Sequence, residues 1–129
     1  MRNYFRAVNT VAVVTVSERQ CGRATILDLE GNVTFGEGTA TLRKETRRLL
    51  AGGRVYILLN LAGVRYVDSS GLGEMVAALT AARTGGGRVS LLGLSPDVRA
   101  LFEMTRLVSA FDIYEDEPSA LRGMAPGRD

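Results

Sequence analysis

The chain has 129 residues, 46% of them hydrophobic, which suits one domain with an ordinary buried core. A net charge of +2 is too small to imply a nucleic-acid partner. The absence of histidine removes Ser-His-Asp and Cys-His nucleophiles, histidine acid/base chemistry and the commonest metal ligand. The lone Cys21 excludes an intramolecular disulfide and leaves no structural zinc set, so a reducing cytoplasm is expected. Neither an enzyme nor a bound cofactor is indicated.

The opening "MRNYFRAVNTVAVVTVSERQ" has a short, interrupted apolar run with no small-residue cleavage site after it, so no signal peptide is expected. No stretch approaches the ~20 apolar residues of a spanning helix, and no membrane insertion is expected. Residues 11–17 and 24–29 are rich in β-branched residues and predict two strands joined as a hairpin through "ERQCGR", with Gly31 ending the unit. A helix from about Thr39 to Ala51 follows, with Leu42, Leu49 and Leu50 on one side and Gly52-Gly53 as its stop. "RVYILLNL", Arg54 to Leu61, is a near-continuous apolar run and predicts a central strand covered on both faces.

"GLGEMVAALTAARTGGG" predicts a second helix stopped by Gly85–Gly87, and "RVSLLGL" another buried strand. "SPDVRALFEMT" predicts a third helix with Ser95 as N-cap, Pro96 in its first turn and Val98, Leu101 and Phe102 on its apolar side. A short strand from Phe111 to Tyr114, a small helix beginning near Pro118 and a frayed tail from Gly123 complete the chain. The expected architecture is a single α/β domain over residues 1–122. It has a mixed, mostly parallel sheet of about five strands, an N-terminal β-hairpin and about four helices.

Functional groups in such sheets gather where strand C-termini meet helix N-termini, and "VDSSGLGEM" lies at such a junction. With Asp68 or Ser69 as cap, ~100° per residue puts Leu72, Met75, Val76 and Leu79 on the core side. Ser70, Glu74, Ala77 and Ala81 then fall opposite, with Ser69 nearer the buried side, making Ser70 the exposed serine of the pair. The outer face, with Gly73, Ala77 and Ala81, is nearly flat where a solvent face normally carries Lys, Glu and Arg. Two readings stand at this point. Asp68 and Ser69 cap a helix while Gly71 and Gly73 relieve crowding, or the flat face admits a partner, which would account for two helical glycines at ~1 kcal/mol each relative to alanine.

The stretch "RYVDSSGLGEMVAALTAARTGGGRVSLLGLSPDVRALFEMTRLVSAFDIYED" resembles the STAS domain of bacterial anti-sigma factor antagonists. The likeness lies in the D-S-S-G-L-G helix start, the Gly-rich stop, the apolar strand, the "SP-V--LFEMT-L" helix and the closing "F-IYED". The hairpin and first helix agree in order, so it covers nearly the whole chain. It implies a protein that binds an anti-sigma factor and frees a sigma factor. It also implies a cognate anti-sigma factor acting as a kinase on the second serine of D-S-S-G, here Ser70, with Ser69 the second candidate. A PP2C-type phosphatase is the implied partner that resets the switch. Asp68, Ser69 and Gly71 would support the phosphosite, and Gly73, Glu74, Ala77, Ala81, Asn32 and Thr34 would meet the partner. In one respect the chain departs: the family's turn after the second strand usually carries an acidic residue, as in G-E-L-D, whereas here "GNVTFGEG" has Asn32 and Thr34.

Other signals are weaker. Arg43, Lys44, Arg47 and Arg48 form a basic cluster that could contact nucleic acid or an acidic partner but reads best as a solvated helix face, and no aromatic interleaving supports RNA binding. "TGGGR" lacks P-loop spacing and follows a helix instead of preceding one. Cys21 has no resolving cysteine. The competing class keeps the fold but makes the domain a ligand or nucleotide sensor, or a scaffold subunit, with no phospho-switch; fold analogy alone does not separate the two.

Overall fold

A computed structural model describes residues 14–126 of the chain. Its elements run β1 (Thr15–Cys21), β2 (Ala24–Val33), α1 (Glu37–Ala51), β3 (Tyr56–Val67), α2 (Ser69–Thr84), β4 (Arg88–Leu92), α3 (Pro96–Met104), a 3₁₀ turn (Leu107–Ser109), β5 (Asp112–Tyr114) and α4 (Glu117–Met124). The five strands form one sheet in chain order, β1 antiparallel to β2 and all the others parallel. Among the described residues this is the expected mixed α/β sheet with its N-terminal hairpin and four helices.

Chain-order stepping has a geometric consequence. Crossovers of one hand that all step the same way across a sheet leave their helices on one face. Accordingly Leu42 and Leu49 of α1, Leu72, Met75 and Leu79 of α2, and Val98 and Phe102 of α3 share one core with Ile57, Leu59 and Leu61 of β3. Phe102 meets Phe111 edge-on, ring centroids 5.7 Å apart, which fixes α3 beside the last strand. Among the described residues α4 alone covers the opposite face, where Ala120 and Met124 close over Ile26, Leu58 and Leu92. The continuous apolar run of β3 is thus explained: alternate side chains enter two different cores.

Several boundaries differ from expectation. The hairpin turn is the two-residue Gly22-Arg23, Cys21 pairing with Ala24, so Glu18–Cys21 are strand. Gly22, at φ +59, supplies the positive φ that such short loops require at their first position. The expected strand over residues 11–17 lies partly outside the described residues. Gly31 does not end β2: the strand passes through it with φ +115, in a run where the β2–β3 register shifts twice, and continues to Val33. β3 likewise extends six residues past Leu61, because its last segment still has β2 to pair with after β4 has ended opposite Asn60. The last helix continues to Met124, whose buried side chain holds its C-terminal turn two residues beyond the expected tail boundary. No helix among the described residues is long and apolar enough to cross a membrane.

Candidate functional site

The extra length of β2 and β3 builds the site. Their parallel register ends with Asn32 opposite Tyr66 and Val33 opposite Val67, so the turn into α1 and the turn into α2 leave the sheet side by side. Asp68 joins them. In extended conformation it caps α2, one carboxylate oxygen accepting the Gly71 N–H at 2.9 Å and the other the Phe35 N–H at 2.9 Å. Its own N–H reaches the Val33 carbonyl at 3.4 Å. Burial pushes the Asp68 carboxyl up, but the N–H groups of Phe35, Gly71, Ser70 and Asp68 itself outweigh it and hold the group below the ordinary carboxylate range. Asp68 is therefore a fixed anionic staple and a poor general base.

The two serines follow at the first and second helical positions. Ser69 is exposed and Ser70 half-buried, the reverse of the ranking given by the helical wheel. The wheel treats the helix as endless, whereas Ser69 sits on its rim with no turn before it to shield its side chain. Gly71, next along, is required by packing: a Cβ there would stand 2.1 Å from the Val33 carbonyl oxygen. Gly73 is different, because a Cβ would meet nothing within 4 Å. The crowding account holds for the first glycine and fails for the second.

Beyond Gly73 the outer side of α2 carries Ala77, Thr80, Ala81 and Thr84, all exposed and all small. From Ser70 to Ala81 this surface runs about 16 Å at 1.5 Å per residue. Glu74 is less available than its wheel position suggests: Arg43 of α1 grips one of its oxygens through Nε and Nη2 at 2.9 and 2.6 Å, leaving the Glu74 side chain 17% exposed. Asn32 and Thr34 are half-buried at the end of β2, where the Thr34 carbonyl accepts the Thr39 N–H at 3.0 Å in the first turn of α1. The structure thus gathers Asn32, Thr34, Asp68, Ser69, Ser70, Gly71 and Gly73 at one corner, with Ala77 and Ala81 extending away from it.

Sequence reasoning missed Phe35 and Tyr66. Phe35, in the turn before α1 with its N–H on Asp68, is 83% exposed, and Tyr66, near the end of β3, is 63% exposed. Turn residues have no periodicity to reveal their side, and Tyr66 lies in a segment not read as strand. Both are large side chains left in contact with solvent near the ends of β2 and β3.

A single mixed sheet with a D-S-S-G helix start, capped by Asp68 where β2 and β3 end side by side, defines a small α/β domain of mixed sheet topology. The STAS domain family profile matches residues 15–120, and the chain belongs to that family. Over 66 residues it is 32% identical to the anti-sigma F factor antagonist of Paenibacillus polymyxa, a match spanning 51% of this chain and 56% of that relative, so it extends over only about half of either. Among solved structures, an anti-sigma factor antagonist from Mycobacterium paratuberculosis superposes with a TM-score of 0.78 at 17% identity, over 86% of this chain and 93% of that one. The Bacillus cell fate determinant SpoIIAA in its phosphorylated form gives 0.67 at 21% identity, over 84% and 98%. At these identities the superpositions speak for the fold.

Proposed function

We propose that this protein is an anti-sigma factor antagonist: unmodified, it binds an anti-sigma factor and so frees a sigma factor for transcription. Phosphorylation of Ser70 by that partner's serine kinase activity ends the binding, and a PP2C-type phosphatase restores it. The observation that carries this reading is the exposed, small-residue side of α2 starting at a capped serine pair, with a glycine at position 73 that packing does not require. The partly matched relative, by its name an antagonist of this kind, supports it.

The switch has a physical basis. A phosphate adds about −1.5 to −2 charges at neutral pH. At the second helical position it lies at the positive end of the α2 dipole, so the fold tolerates it. Because Asp68 already uses the Ser70 and Gly71 N–H groups, the phosphate shares few of them and projects toward the partner. Binding is lost while folding is kept. Neither DNA contact nor membrane insertion enters this function.

The test is to incubate the protein with ATP and each anti-sigma kinase of its genome, then locate any phosphate by intact mass and fragmentation. One phosphate on Ser70, and loss of binding in both the phosphorylated protein and Ser70→Asp, is expected. Tight binding that Ser70→Asp leaves untouched would make the domain an unswitched scaffold instead.

A further inference from the structure

The basic cluster of α1 is not a uniform solvated face. Arg43 is committed to Glu74, and Arg48 to Glu45 at 2.8 Å and to Glu18 of β1 at 2.5 Å. Lys44 and Arg47 are exposed and make no hydrogen bond or ion pair among the described residues. The contacts orient the helix. Arg43 reaches α2 and Arg48 reaches β1, so Arg47, one turn after Arg43, continues the stripe that borders α2.

On the other flank of α2, Arg83 donates to the Ala110 carbonyl at 3.0 Å, a neutral acceptor that leaves its charge uncompensated. The outer half of α2, with Ala77, Thr80, Ala81 and Thr84, therefore lies between two uncompensated guanidinium groups and carries no carboxylate of its own. Glu37, the exposed acid at the start of α1, lies ten residues before Arg47, about 15 Å along the helix. Asn32 and Thr34, at the turn below, are uncharged.

Resting on the function proposed above, we propose that the anti-sigma factor surface covering α2 is acidic, a carboxylate-bearing ridge seated along Ala77, Thr80 and Ala81 between Arg47 and Arg83. Arg47 steers its approach. Such a partner is also the one a Ser70 phosphate expels most effectively, since like charge is added at the edge of a surface that attracted it by opposite charge. A partner presenting an arginine-rich surface to this side would instead meet repulsion, so the arrangement selects among anti-sigma factors by charge sign.

The experiment is stopped-flow association of the wild type, Arg47→Glu and Arg83→Gln with the purified anti-sigma factors of the same genome, at 50 mM and 500 mM salt. For the factor that binds, the wild-type on-rate falls about tenfold or more across that range, and Arg47→Glu is about tenfold slower at low salt but matches wild type at high salt. Unchanged thermal unfolding of Arg47→Glu is expected, because its exposed side chain makes no hydrogen bond or ion pair among the described residues. A factor that binds, and is released by phosphorylation of Ser70, with salt-independent rates unaffected by Arg47→Glu, overturns the acidic-partner inference and leaves the function standing. Failure of every anti-sigma factor to bind overturns the function and this inference with it. Retention of a short DNA duplex at physiological salt, lost in Arg47→Glu, would replace the acidic protein by nucleic acid.

Discussion

α1 and α2 lie side by side on the same face of the sheet, with 15 and 16 residues, and meet solvent in opposite ways. α1 presents Arg43, Lys44, Arg47 and Arg48, long side chains engaged in ion pairs or extended into water. α2 presents Gly73, Ala77, Thr80, Ala81 and Thr84. Their inner sides are alike: Leu42 and Leu49 from one, Leu72, Met75 and Leu79 from the other, enter the same core. Folding therefore makes similar demands on both helices, and the difference lies wholly on the side folding leaves free. From Ala77 to Ala81, α2 carries none of the long charged side chains that cover α1.

That comparison breaks first at Gly71, the inner-side glycine. Gly71→Ala places a methyl 2.1 Å from the Val33 carbonyl oxygen, so α2 must lift from the end of β2 or β2 must shift. The expected loss is about 2–3 kcal/mol in urea unfolding, in the upper range for overpacking. Retention of full stability would mean that the α2 start has slack, and that its placement is less constrained than the packing implies.

Asp68→Ala comes next. It removes the α2 cap and leaves the Phe35 N–H without its acceptor, for an expected loss of about 1–2 kcal/mol. The dependence on pH distinguishes this from a packing effect. The native Asp68 carboxyl is held below its ordinary value by backbone N–H groups that outweigh the opposing effect of burial. Its contribution is therefore fully present above the unfolded-state value of about 3.9 and lost as pH falls through the lower native value. The stability gap between wild type and Asp68→Ala, constant near neutrality, should narrow below about pH 4. A gap that persists in acid would assign the loss to something other than the carboxylate.

How much of this was legible in the sequence depends on what each signal measures. The apolar run of Tyr56–Leu61, the glycine stops and the Ser95 cap report local demands, and the strands and helices appear where those signals fall. Strand ends were missed where pairing, not composition, sets them: β3 continues through exposed Arg65 and Tyr66 because β2 is there to pair with. The outer side of α2 could be read from its small residues because a helix has a period. Phe35 could not, since a turn has none, and the distinction between Gly71 and Gly73 requires knowing what stands above each. The commitment of Glu74 to Arg43 was hidden for the same reason: the partners are 31 residues apart.

The smallest expected effect on the fold is the most discriminating for the site. Gly73 is exposed in the interior of α2, a methyl added to it would meet nothing within 4 Å, and it is not at positive φ. Gly73→Ala should therefore raise stability by up to about 1 kcal/mol, the ordinary gain from replacing an exposed helical glycine. If that position is kept bare for a partner, the same methyl weakens anti-sigma factor binding by about tenfold, roughly 1.4 kcal/mol, while the protein unfolds at a higher temperature. Stability and binding then move in opposite directions, which no defect in folding produces. A variant that is stabilised and binds as well as wild type would instead show that the partner does not touch this turn of α2, and would move the interface toward Phe35 and Tyr66.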